Sequence, residues 1–170
     1  LEKPFDEERL MNFVKRAVEN FKLKNENKVL ETKLFHSFDL IGNSQNIEKI
    51  REQIEKLSNS ESRIFIYGPT GSGKELIARK IHKLSKRNKG PFIILNGALL
   101  DVKKYELELF GEEKENGSIT YGSLEKASGG TLLIDEISEI PLETQSKILR
   151  VLIDQKFKRI NSNHDIKVNV

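Results

Sequence analysis

GPTGSGKELIARKIH, residues 68–82, is the stretch whose reading decides the fold. An apolar run, RIFIY at 63–67, precedes it, and apolar residues at helical spacing follow it. Gly68, Pro69, Thr70, Gly71, Ser72 and Gly73 thus form a turn between an expected strand and an expected helix that opens at Lys74. Glycines let successive backbone N–H groups face inward, and the free amides of a helix start, aided by its dipole, hold anionic oxygens. Lys74 is then the mobile cation that reaches the outer phosphates of a nucleotide. The other reading is a tight strand-to-helix turn with a surface lysine. Glu75 keeps both open, because a phosphate loop ordinarily has a magnesium-binding Ser or Thr at that place.

A second stretch decides between them. GGTLLIDE, residues 129–136, is an apolar strand ending in two acids. In a parallel nucleotide-binding sheet the carboxyl ends of the strands face the ligand. Asp135 is therefore the candidate magnesium ligand, direct or through water, since magnesium takes oxygen donors and keeps several waters. Glu136 is the candidate base that orients the attacking water. An acidic pair after a strand is by itself often a helix cap. Two such motifs, each on its own strand, point to ATP with magnesium.

Working outward, FIIL at 92–95 and TLLI at 131–134 join RIFIY as expected strands, with helices expected over 45–57, 74–86 and, after Pro141, 142–153. Strands alternating with helices argue an α/β fold, a parallel sheet covered on both faces. Ahead of this, Leu10, Phe13, Val14, Ala17, Val18 and Phe21 give residues 7–22 one apolar helical face, with Asp6 as a possible cap. The polar stretch 23–37 reads as a linker.

Composition narrows the class. The 170 residues are 36% hydrophobic and 32% charged, with 29 basic and 26 acidic side chains and no cysteine. Disulfides, thiolate metal sites and Cys nucleophiles are excluded, and a reducing cytoplasm fits. The apolar runs fall far short of the roughly 20 residues that span a bilayer, and the charged N-terminus is not a signal peptide. No basic block marks a groove-reading element.

In order along the chain, LIGNSQNIEKIREQI, GPTGSGKELIARKIH, GPFIILNGALL, ELFGEEK, GSLEKASGGTLLIDEISEIP and TQSKILRVLIDQKFKRI resemble the AAA+ domain of bacterial enhancer-binding activators, the NtrC family. The phosphate loop of that family ends in Lys-Glu, so Glu75 is its ordinary form. The resemblance covers residues 38–170 and implies a partial AAA+ P-loop sheet, ATP and Mg2+ as ligands, and self-association. It matches Asn96 to the asparagine that holds the catalytic glutamate towards or away from the γ-phosphate, although a strand-end turn residue is the plain alternative. Ile41 and Gly42 match the adenine-side turn. His82 is read as packing.

Two departures qualify it. After ELFGEEK the family carries GAFTGA, the loop that touches sigma-54; here a shorter ENGSITY, residues 115–121, takes its place. That is similar to the NtrX branch, paired with a sensor kinase of NtrY type, and sigma-54 contact is not expected. The second departure is that the sensor I strand, arginine fingers, lid and DNA-binding helix-turn-helix of the family do not follow Val170. The chain is thus expected to be a fragment or truncated product that binds ATP without significant hydrolysis. Lys3, in Glu2-Lys3-Pro4-Phe5, resembles the switch lysine near the end of a receiver domain, which assigns 1–22 to a receiver end. Two readings of other classes stand beside this one: an AAA+ module of another kind, and a non-enzymatic remnant that associates through its helix.

Overall fold

The computed structural model describes residues 11–19, 21–22, 39–99 and 104–170. Lys3, Asp6 and the stretch 23–37 lie outside them. The chain divides into two units, 1–39 and 40–170. In the first, residues 11–19 and 21–22 are helical (α1). The apolar face, which its helical spacing leads one to expect buried, is not: Phe13, Val14, Val18 and Phe21 are all exposed. Periodicity defines an apolar face, but burial requires a second surface against it.

The second unit begins with α2 (Gln45–Ser58), capped by Ser44, whose hydroxyl accepts the Ile47 N–H at 3.4 Å. After the loop comes α3 (Lys74–Leu84), then β1 (Phe92–Asn96), α4 (Tyr105–Phe110), β2 (Gly111–Glu113), β3 (Ile119–Tyr121), α5 (Ser123–Lys126) and β4 (Thr131–Asp135). The chain ends in α6 (Leu142–Asp154), β5 (Lys156–Lys158) and β6 (Asp165–Lys167). Pro141 stands one place before the first helical residue of α6, with its φ of −54° already suited to a helix entry.

β1 and β4 pair in parallel, from Phe92 opposite Thr131 to Asn96 opposite Asp135. The close approach starts below the ladder. A Cβ on Gly130 would stand 2.0 Å from the Pro91 carbonyl oxygen, so only glycine allows the Thr131 N–H to reach that carbonyl at 2.9 Å.

The expected strand at 63–67 is absent: these residues join no ladder among those described. Their side chains nevertheless alternate, with Phe65 and Tyr67 exposed and Ile64 and Ile66 half-buried. The local pattern survives, but a strand is defined by its partner's hydrogen bonds, and 63–67 has no ladder partner among the described residues.

The core packs against β4 through Leu132 and Ile134. Leu109, Leu124 and Ile140 are fully buried, packed with Tyr105, Phe110, Ile148, Val151, Phe157 and Val168. Fully burying side chains of this size is worth about 1.5–3 kcal/mol each. The rings of Phe110 and Phe157 meet at 5.6 Å, which joins α4 to β5. Beside them Arg159 makes a two-pronged bond to Glu125, Nε to Oε1 at 2.9 Å and Nη2 to Oε2 at 2.5 Å, both side chains largely buried.

The segment ENGSITY closes as a hairpin. β2 and β3 are antiparallel with Gly111 opposite Tyr121, and the tip is tied by Lys114 N–H to Ser118 O at 2.9 Å and Gly117 N–H to Lys114 O at 2.8 Å. Gly117 supplies the left-handed turn conformation, φ 78°.

Candidate functional site

The loop from Gly68 to Gly73 is shaped by backbone chemistry that its sequence requires. Gly71 (φ 78°) and Gly73 (φ 89°) take left-handed conformations that favour glycine. A Cβ on Gly68 would meet Ser72 Oγ at 2.8 Å. The Ser72 N–H turns back to the Pro69 carbonyl at 3.2 Å, and the Ile77 N–H begins the helical ladder on Gly73 O at 3.1 Å. Lys74 is the first residue of α3, so its side chain leaves from the helix end that carries free N–H groups and the positive end of the dipole.

Lys74 Nζ lies 3.3 Å from Gly68 O and 3.4 Å from Pro69 O, folded over its own loop. It also lies 3.5 Å from Glu136 Oε1. Two sequence-distant candidates thus meet, the cation after the loop and the second acid after β4. Thr70 sits at the exposed crest of the loop. Glu75 points elsewhere: its carboxylate is bound by Arg79 one turn on, at 2.7 Å.

Asp135 and Asn96 are brought together by the ladder itself, as the last cross-strand pair. Asp135 Oδ1 accepts the Glu136 N–H at 3.1 Å. Asn96 Oδ1 accepts the Ala98 N–H at 2.9 Å, a strand-end turn that leaves its NH2 group for other partners. Glu136 has a left-handed backbone, φ 51° and ψ 51°, uncommon for a non-glycine residue and held only where its surroundings impose it.

Ile41 and Gly42 are placed by α2. Arg51 Nη2 donates to the carbonyls of Leu40 at 2.7 Å and Gly42 at 2.8 Å, fixing a turn on which Ile41 is almost fully exposed. Sequence reading missed this clamp; an arginine nine residues past a glycine is not by itself a signal. His82, read as packing, sits between α3 and the sheet. Its Nδ1 is 2.8 Å from Thr131 Oγ1 and its ring centroid 5.2 Å from that of Phe92. Burial, and after it the Arg79 charge, hold its pKa below the ordinary imidazole value.

A parallel sheet flanked by helices, with a glycine-rich turn opening the helix beside an acidic strand end, is the arrangement of a P-loop NTPase domain. Residues 40–170 match the family described as the Sigma-54 interaction domain, and the chain belongs to that family. Over its whole length it is 43% identical to the nitrogen assimilation regulatory protein NtrX of Azorhizobium caulinodans, of which it covers 37%. It superposes on the crystal structure of NtrX from Brucella abortus with a TM-score of 0.85 at 44% identity, covering 100% of this chain and 37% of that one. The same Brucella protein in complex with ATP gives a TM-score of 0.78 at 44% identity, covering 100% of this chain and 36% of that one. The chain therefore spans little more than a third of the relatives it matches. Among the described residues no helix is long and apolar enough to cross a membrane.

Proposed function

We propose that this chain is the ATP-binding portion of a cytoplasmic two-component transcription regulator of NtrX type. The observation that carries the reading is the meeting of Lys74, at the start of α3, with Glu136, at the end of β4, 3.5 Å apart beside the glycine-rich turn. Gly68 to Gly73 cradle the phosphates with backbone N–H groups, and Lys74 leaves its carbonyl contacts to meet the outer phosphates. The ATP complex of the Brucella relative supports the choice of ligand.

The donors present suit magnesium. One oxygen of Asp135 is engaged by the Glu136 N–H, and the other is a hard, anionic donor at the strand end that faces the loop. When bound, magnesium neutralises charge on the phosphates. Asp135 holds it, directly or through water. Glu136 orients a water toward the γ-phosphate, and Asn96, at the adjoining strand end, holds or releases that carboxylate with its NH2 group. Ile41 and Gly42 form the adenine-side turn.

In the whole protein, residues 1–22 close a receiver domain whose switch lysine is Lys3, 23–37 is the linker and 38–170 opens the AAA+ domain. A sensor kinase of NtrY type, a DNA-binding helix-turn-helix and self-association complete the reading. The segment 115–121 is shorter than the activator loop and carries no Phe as an apolar anchor, and on this reading promoter opening through sigma-54 is not expected.

Calorimetric titration with Mg–ATP tests the pocket. Lys74→Ala removes the cation but keeps the backbone cradle, and its affinity is expected to fall by about 1.5–3 kcal/mol. Equal affinity in the two proteins, or no binding by folded wild type, removes the assignment.

A further inference from the structure

We propose that Tyr105 is a positioning residue that sets where Glu136 and Asn96 stand relative to Lys74. The proposal rests on the nucleotide reading above. Beyond their last pair, β1 and β4 each run into a short 3-10 turn, Gly97–Leu99 after Asn96 and Ile137–Glu139 after Glu136. These turns pack backbone to backbone. A Cβ on Gly97 would stand 2.6 Å from the Glu136 carbonyl oxygen and 3.2 Å from that of Asp135. Tyr105 opens α4 with its side chain in the core, 3% exposed. Its hydroxyl donates to the Gly97 carbonyl and lies 3.3 Å from the Glu139 carbonyl. One buried hydroxyl therefore bridges the turn that follows Asn96 and the turn that follows Glu136.

The bridge bears on the conformation of Glu136. Its left-handed backbone is strained, and such a conformer persists only where the surroundings over-determine it. The restraints are the Glu139 N–H on Glu136 O at 3.0 Å, the Asp135 carboxylate on the Glu136 N–H, and the contact with Gly97. Tyr105 holds the far side of both turns, so without its hydroxyl the first and third restraints can slacken together, and with them the Glu136 N–H. The carboxylate that faces Lys74 then loses its fixed origin. What depends on that origin is how Glu136, Asn96 and the Lys74 ammonium it pairs with are placed around the γ-phosphate; the inner phosphates are held by the loop.

Tyr105→Phe keeps the ring in the core and removes only the hydroxyl. Two readouts separate positioning from general packing. In calorimetry with Mg–ATP and Mg–ADP as probes, the variant is expected to bind ATP about fivefold more weakly, the size of one hydrogen bond, with ADP affinity within about twofold of wild type. In amide hydrogen exchange, Ala98, Glu136 and Glu139 are expected to exchange at least about tenfold faster, with Ile148 in α6 unchanged, because local opening differs from global unfolding. Equal acceleration at all four amides, or unchanged exchange at the two turns, overturns the proposal. An unchanged ATP-to-ADP preference does so as well. A variant that fails to fold also counts against it, since the hydroxyl would then hold the whole core. If wild type binds neither nucleotide, the functional reading fails, and the exchange pattern still decides the role of Tyr105.

Discussion

Arg63–Tyr67 and Phe92–Asn96 are both short apolar runs that lead into the candidate site, yet they end in different states. The second is locked into a parallel ladder with Thr131–Asp135 and carries Leu95, 4% exposed, into the core. The first has no ladder and leaves Phe65 and Tyr67 at 77% and 92% exposure, although Arg63 donates to the Leu152 carbonyl of α6. The site is built across this divide: Asp135, Glu136 and Asn96 stand on the paired side, and the phosphate loop hangs from the unpaired side. A ligand bound between them gains its fixed geometry from the first and spends ordering entropy on the second.

Core truncation offers the largest test of that contrast. Leu109→Ala, at a fully buried position, is expected to cost about 3 kcal/mol by urea unfolding, within the usual range of about 2–5 for such changes. Phe65→Ala is expected to change stability by no more than about 0.5 kcal/mol in the same experiment. Comparable losses at the two positions would mean that 63–67 is packed as firmly as β1, and the divide would not exist.

Charge pairs sharpen the comparison on a smaller scale. The Arg159–Glu125 pair is largely buried and two-pronged, and it fastens the segment after β5 to α5. Lys156–Asp165, at 2.8 Å, is about half exposed on each side. Glu125→Gln is expected to lower stability by about 1.5 kcal/mol, because the guanidinium loses charge-assisted bonds and keeps its desolvation. Asp165→Asn should cost clearly less than that, and less still in salt. Unfolding both variants in low and high salt checks the order.

The sequence made the paired side legible almost residue by residue. FIIL and TLLI became β1 and β4, and the three expected helices appear at 45–58, 74–84 and 142–154. Their periods and end signals are local, and tertiary packing agrees with them. Lys74 and Glu136 could be placed together because a parallel strand and a glycine-rich turn leave few alternatives. Four things were not legible, each for a physical reason. RIFIY has strand chemistry, but strand formation depends on a partner. The exposed face of α1 has helical periodicity, but burial depends on a second surface. The Tyr105 bridge and the Arg51 clamp are bonds from side chains to backbone carbonyls, and carbonyls are the same at every residue, so composition carries no trace of them. The hairpin at 111–121 was masked because three-residue strands are too short for alternation to register.

Nucleotide itself should act on the looser side. Saturating Mg–ATP is expected to slow amide exchange across 61–73 while leaving β4 amides such as Leu133 nearly unchanged, since the ladder already protects them. Equal protection on both sides would show that the strands breathe together and that the divide is not energetic.

The smallest effect is expected at His82, where α3 crosses the foot of both strands. The imidazole bonds Thr131, the first residue of β4, and stacks at a tilt on Phe92, the first of β1, with the Arg79 guanidinium 4.8 Å over the same ring. Burial first, and the Arg79 charge second, depress its pKa in the folded protein. As pH falls, the unfolded chain therefore takes up the proton before the folded one does. The neutral histidine contributes stability above the unfolded value of about 6.5, and that contribution drains away as pH drops through it toward the folded pKa. The urea midpoint of wild type should decline between about pH 7.5 and 5.5. His82→Gln keeps a polar group near Thr131 but cannot charge, so its decline should be shallower. Because the histidine spans the helix that carries Lys74 and the strand that carries Asp135, a difference in slope would place this helix on the rigid side of the site. Parallel slopes would leave α3 with the loop that precedes it.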